Sequence, residues 1–173
     1  MKLSMYQASV PVFQRGLANL GHVLDKGLTD AGLRKIDPQV LLQARLAPDM
    51  LPLIRQVQIA TDHAKGGPSR LAGLTAPKFE DNETTFEQLQ ERIQKIRAFL
   101  ATLQPAQLDG SEERDIALKA GPHDLQFKGL EYLLGFATPN FYFHVSMAYA
   151  ILRHNGVPIG KVDFIYGKAG LGQ

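Results

Sequence analysis

Five histidines, His22, His63, His123, His144 and His154, are the side chains best suited to acid–base or metal chemistry, because the chain contains no cysteine. Without thiols there is no cysteine nucleophile, iron–sulfur cluster, thiolate zinc site or disulfide, so a transition-metal site would rest on imidazoles and carboxylates. A helix presents two ligands on one face when they are four residues apart. No two histidines have that spacing; His144 and His154, which fall in one helix, are ten apart and out of line. One turn before His144 stands Asn140, whose neutral amide is a weak ligand beside an imidazole. Its spacing predicts an amide aimed at the same cavity as His144, within hydrogen-bonding reach of that imidazole or of His63. His63 itself is expected near the carboxyl end of a helix, where an imidazole favours the helix dipole. His22, His123 and His154 fall opposite an apolar stripe, in a turn and at a helix end, and carry no site. Ser146 is two residues from His144 and faces away from it, so no nucleophilic triad forms. Gly156-Val157-Pro158-Ile159-Gly160-Lys161 has neither the spacing of a phosphate loop nor its following hydroxyl residue.

Aromatic side chains form the second concentration of chemistry. Eight of the 14 lie between Tyr132 and Tyr166, and Phe141, Tyr142 and Phe143 are consecutive. Three successive residues point in three directions from a helix turn, and one core cannot absorb all of them. A partner chain would cover the outermost ring, which predicts a homodimer, and Tyr142 and Tyr149 could place hydroxyls in a pocket.

The elements that must position these groups are mostly helical. Phe13, Leu17, Leu20, Leu24 and Leu28 recur at helical spacing and predict a first helix from Ser4 to about Thr29, ended by Gly27, Asp30 and Gly32. Asp37-Pro38 opens a short piece to about Leu46. A second long helix is predicted from Pro48-Asp49, capped by Asp49, with Leu53, Ile54, Val57, Ala60 and Ala64 on one side and Gly66-Gly67-Pro68 interrupting or ending it. Thr84-Thr85-Phe86-Glu87 has the form of a capping box before a seam of Phe86, Leu89, Ile93, Ile96, Leu100 and Leu103. Arg92, Lys95 and Arg97 then read as the wet side of that helix. Ile116–Leu118 and Leu125–Phe127 alternate in the strand period around Gly121-Pro122-His123-Asp124, a small hairpin. Leu130–Ala137 adds a short helix, and Thr138-Pro139 supplies cap and first turn for a last long helix from Asn140 to about Asn155, stopped by Gly156. Four long helices, short connections and one strand pair predict an all-α, up-down four-helix bundle with a small β-hairpin before the last long helix, one domain over residues 1–173.

Composition narrows the function classes. The 173 residues carry 19 Lys and Arg against 17 Asp and Glu, interleaved along the chain, so no basic stripe for nucleic acid is present. No run reaches the roughly 18 apolar residues of a membrane span. The amino terminus lacks the apolar core of a signal peptide, and a chain without cysteine suits a reducing compartment, so a cytoplasmic location is expected.

Thr138-Pro139-Asn140-Phe141-Tyr142-Phe143-His144, then Ala148–Gly156 and Gly160–Phe164, resemble the carboxyl-terminal signature of a bacterial domain family of unknown function. Arg45–Met50, Gln56–Asp62, Arg70–Gly73 and Thr85–Ile93 resemble the same family in the same order. That family is similar to the DinB/YfiT-like superfamily, a group of four-helix bundles that are often dimers. Its metal-binding branches hold an ion on three histidines, one from the second long helix and two, four apart, from the last. The resemblance places His63 at the first position and His144 at the third, while the second falls on Asn140. It therefore implies a degenerate metal site, His63–Asn140–His144. No cofactor is expected, and a divalent ion, zinc or nickel, would be held at most weakly by His63 and His144. Two functions follow: a pocket that binds a small molecule or partner without metal, and, alternatively, a metal-dependent transferase or hydrolase acting on a small molecule.

Overall fold

Apolar stripes at helical spacing become buried seams in the computed structural model, which describes residues 3–170. Four long helices, α1 (Val10–Arg34), α3 (Leu53–Ala72), α4 (Phe86–Thr102) and α7 (Thr138–His154), form the bundle. The shorter pieces are α2 (Pro38–Gln43), α5 (Pro105–Leu108), α6 (Gly129–Glu131) and α8 (Lys161–Tyr166), with a 3-10 turn at Gly167–Ala169. Helix α3 packs on α7 and α4, and α1 packs on α4 and α7. Phe13, Leu17, Leu20 and Leu24 of α1 meet Val57, Ala60 and Ala64 of α3 and the whole Phe86–Leu100 seam of α4 in one core. The all-α bundle with a small hairpin before its last long helix is thus the fold observed.

Several boundaries differ from expectation, each for a local reason. Helix α1 starts at Val10 and runs through Gly27, Asp30 and Gly32 to a left-handed Lys35 (φ 57°). Inside it, Gly27 lets Leu152 approach the backbone, and Asp30 pairs with Arg34 one turn on. Helix α3 begins at Leu53, with Pro52 rather than Asp49 at the cap position, and continues through Gly66-Gly67-Pro68 to a left-handed Gly73. Burial of Gly66, Gly67, Pro68, Ser69 and Leu71 offsets the backbone bond lost at Pro68. His63 therefore sits in the middle of its helix, not at the end. In α4 the capping box is one residue later than read: Thr85 Oγ1 accepts from Gln88 N–H (3.2 Å), and Gln88 Oε1 accepts from Thr85 N–H (3.2 Å).

Strands β1 (Asp115–Ala120) and β2 (His123–Lys128) pair antiparallel, with Leu118 opposite Leu125 and Ala120 opposite His123. The turn is only Gly121-Pro122, so His123 belongs to a strand; Gly121 has φ 58°, which favours glycine. After β2 the chain is helical without a break. A π-helical turn, Tyr132–Ala137, joins α6 to α7, and the N–H of Thr138 bonds to Leu133 O five residues back. Thr138 is therefore no cap, and its buried Oγ1 has no partner. Pro139 supplies the reason: it lacks an N–H and crowds the carbonyl four residues earlier, so the rod widens just before it.

Candidate functional site

The site lies where α3 faces the rod made of α6, the π turn and α7. Gln56, His63 and Arg70 are each seven residues apart on α3, which puts them on one stripe. Phe136, Asn140 and His144 are each four apart on the rod and make the opposing stripe. Contacts run in reverse order along the two. Gln56 meets His144, His63 meets His144 and Phe136, and Arg70 meets Tyr132.

His144 has a defined tautomer. Gln56, 2% exposed, donates its Nε2 to Leu51 O (3.1 Å), which leaves Oε1 as the acceptor facing His144 Nδ1 at 2.7 Å. The proton of this bond is therefore on Nδ1, and Nε2 carries the bare lone pair. Beside it the His63 ring lies nearly parallel, with centroids 5.9 Å apart and 14° between planes. Burial and then the neighbouring His144 lower the His63 pKa to about 4, and burial lowers that of His144. Both rings are neutral at neutral pH and act as hydrogen-bonding groups or bases rather than cations.

A cavity of about 370 Å³ opens beside His63. Asp62, His63, Arg70, Phe136 and Asn140 line it from the helices, and Leu118, Lys119 and Ala120 of β1 cover it. Asn140 lines this cavity but His144 does not, and the Asn140 Nδ2 donates to Phe136 O at 2.7 Å rather than to an imidazole. An amide on a helix reaches the carbonyl one turn back without leaving its own rod. Phe127 of β2, Tyr132 and Phe136 pack with ring centroids 5.4 to 6.0 Å apart, and Phe136 of this cluster lines the cavity.

The donor set for a metal is two imidazoles and one amide oxygen. Asp62, the adjacent carboxylate, already accepts from Lys65 Nζ and Arg92 Nη2, both at 2.8 Å. Among the described residues no three His, Cys, Asp or Glu side chains are grouped as a metal site needs. These residues do not fit a three-imidazole centre.

The consecutive aromatics separate as their directions require. Phe141 is fully buried against Phe13, edge to face at 5.1 Å. Tyr142 is half-buried and touches Phe141, whereas Phe143 is 52% exposed. Tyr149 packs on Phe164 of α8 at 5.6 Å, away from the cavity. Neither Tyr142, Phe143 nor Tyr149 lines the pocket beside His63.

Sequence reasoning missed three contributors. Gln56 and Arg70 were readable as polar residues at heptad distance from His63. Arg92 was misread as solvated; it is 1% exposed and the centre of an ion cluster. Its guanidinium donates to Thr61 Oγ1 (2.6 Å), Asp81 (2.7 Å), Asp62 (2.8 Å) and Glu83 (3.1 Å), with the Phe79 ring 4.9 Å away. Burial would push its pKa down, but Asp81, Asp62 and Glu83 outweigh that and raise it. His22, on the far side of the bundle, bonds Asp163 Oδ1 at 2.9 Å together with Lys26, tying α8 to α1.

No curated protein matches the chain. A solved structure does: the crystal structure of a DinB family member protein from Shewanella denitrificans is 42% identical, covers 92% of this chain and 90% of its own, and superposes with a TM-score of 0.83. A family model described as a domain of unknown function, DUF1993, matches residues 5–165. With nearly its whole length matched, and with the bundle, hairpin and last long helix in the order described, the chain belongs to that DUF1993 family and has the DinB-like fold.

Proposed function

We propose that this protein binds a small molecule in the cavity beside His63, without a resident metal ion. One observation carries the reading: His63 and Arg70 of α3 and Phe136 and Asn140 of the rod line a cavity of about 370 Å³ under β1, with the Gln56–His144 pair adjoining His63. Ligand pockets are commonly of this size, apolar with a few fixed polar groups. Here His63 and Asn140 are the polar handles, Phe136 and Leu118 the apolar wall, and Gln56 holds His144 in one orientation behind His63. The test is a thermal-shift screen of metabolites on the wild type, on His63→Ala and on His144→Ala, with and without EDTA. Hits that survive EDTA and weaken in the variants support the reading.

The alternative, a metal-dependent transferase or hydrolase acting on a small molecule, draws on the pair of neutral imidazoles with ring centroids 5.9 Å apart. Metal analysis after expression without an affinity tag separates the two. Close to one equivalent of zinc or nickel per chain, with hits abolished by EDTA, would favour the enzyme.

The chain is further proposed to form a homodimer in a bacterial cytoplasm. Phe143, with half of its ring surface exposed, supports the dimer. Among the described residues no helix is long and apolar enough to cross a membrane.

A further inference from the structure

Arg70 is placed in a way that packing alone does not require. It is exposed, yet its guanidinium is held: Nη1 donates to the hydroxyl of Tyr132 at 3.1 Å, and the guanidinium carbon lies 5.9 Å from that ring. Tyr132 is 1% exposed, so the anchor is part of the core. One turn before Arg70 on α3 stands Gly66, where a Cβ would lie 2.6 Å from Nη1. A glycine inside a helix is less favourable than alanine, and here it leaves the space in which the guanidinium lies. Among the described residues Arg70 makes no ion pair with a carboxylate, and a single bond to Tyr132 leaves the rest of its donor fork open.

The charge around the cavity has one sign to spare. Asp62 is the lining carboxylate, and Lys65 and Arg92 already neutralise it from behind. Lys119 alternates with the inward Leu118 and Ala120 of β1 and so stands on the outer face of the hairpin, opposite the exposed Asp124 at 4.0 Å. Of the cations lining the cavity, Arg70 is therefore the one left without a carboxylate among the described residues, beside neutral His63 and Asn140 and the Phe136 ring.

We propose that the cavity takes a small organic carboxylate, its anionic group paired with Arg70 at the mouth and its apolar body against Phe136 and Leu118. The inference rests on the reading of this cavity as a binding site and names the class of ligand. A planar guanidinium anchored at one nitrogen matches the two oxygens of a carboxylate in a way a lone ammonium does not.

The test uses a fragment panel of aromatic and aliphatic carboxylates, each beside its neutral carboxamide. Binding is followed by the NMR signals of the imidazole carbons of His63, which lines the cavity, and of His144, stacked beside it. The expected result is that carboxylates shift the His63 signal and bind roughly tenfold more tightly than their carboxamides, a preference of the size a charge-assisted bond supplies. Arg70→Gln should remove that preference, Arg70→Lys should restore part of it, and raising salt should weaken carboxylates alone. Melting curves of both variants establish that they fold. Lys119→Ala, on the outer face of the hairpin, should leave the preference unchanged and so serves as a control; a loss as large as that in Arg70→Gln would mean a general charge effect and overturn the assignment. Equal shifts by both members of each pair, unchanged in Arg70→Gln, would overturn the carboxylate assignment and leave a neutral-ligand pocket standing. If no member of either class moves the imidazole signals, both the carboxylate assignment and the pocket reading fall.

Discussion

His63 is neutral in the folded chain because burial and His144 oppose its proton, and it regains an ordinary pKa on unfolding. Between its unfolded value near 6.5 and its folded value of about 4, the unfolded state binds more protons, so stability falls as pH drops through that window. Urea midpoints measured from pH 7 to pH 4 should decline, and His63→Gln should flatten the decline. Asp163 acts lower on the scale. Burial raises its pKa, but the bonds from Lys26, the Gly160 N–H and His22 outweigh that and bring it to about 2. Its contribution is complete above the ordinary carboxylate range and is lost as pH falls from about 4 toward 2, so Asp163→Asn should remove a decline seen only there. Asn140 permits a third residue-level prediction. If His63 and His144 stand where metal-binding relatives hold an ion, Asn140→His rebuilds a three-imidazole face, and zinc or nickel should raise its melting temperature and not that of the wild type. The gain should be several kcal/mol, a fraction of the ~10–16 kcal/mol of structural zinc sites. Negligible titration heats in both proteins would refute the alignment of His63 with His144.

Two elements depend on single positions. The connection from α3 to α4 has no helix of its own over residues 74–85, and Arg92 holds it through Asp81 and Glu83 while also reaching Asp62 on α3. Asp81 adopts a left-handed backbone (φ 55°) within this cluster. Removing one partner of a buried ion cluster leaves the others uncompensated, so Arg92→Met should cost about 3–5 kcal/mol, and hydrogen exchange should show the connection opening first. At the other end of the site, Gly129 joins β2 to the rod. A Cβ there would overlap the carbonyl oxygen of Ser111, a backbone atom that cannot turn aside as a side chain can. Gly129→Ala should cost roughly 1–3 kcal/mol, read from thermal melts, and should displace the hairpin that covers the cavity.

At the scale of the molecule, the bundle buries its seams without a partner and still leaves Phe143 and Leu134 about half exposed. This exposed ring, two residues from the buried Phe141, is what supports the proposed homodimer. Light scattering at micromolar concentration should therefore give twice the chain mass of 19.1 kDa, and Phe143→Asp should shift it toward the single chain while leaving the melt of the core intact. A wild-type mass near that of one chain, insensitive to salt, would dispose of the dimer.

What the amino-acid sequence by itself determined is what repeats locally. The Phe86–Leu103 seam, the stripe of α1 and the alternation on either side of Gly121-Pro122 follow from periods of 3.6 and 2, which any stretch of chain carries within itself. The spacing of Asn140 and His144 likewise places both on one face whatever they pack against. Tertiary structure decided the rest, because it depends on groups far apart in the chain. Gly66-Gly67-Pro68 reads as a break, yet α3 runs through it, since burial against Phe13 and Ala137 outweighs local propensity. Arg92 has the sign and period of a solvated residue and is buried because three distant carboxylates surround it. The pocket exists only once Arg70 finds Tyr132 and β1 folds over His63. Periodicity specifies the face of a helix, and only packing specifies what that face meets.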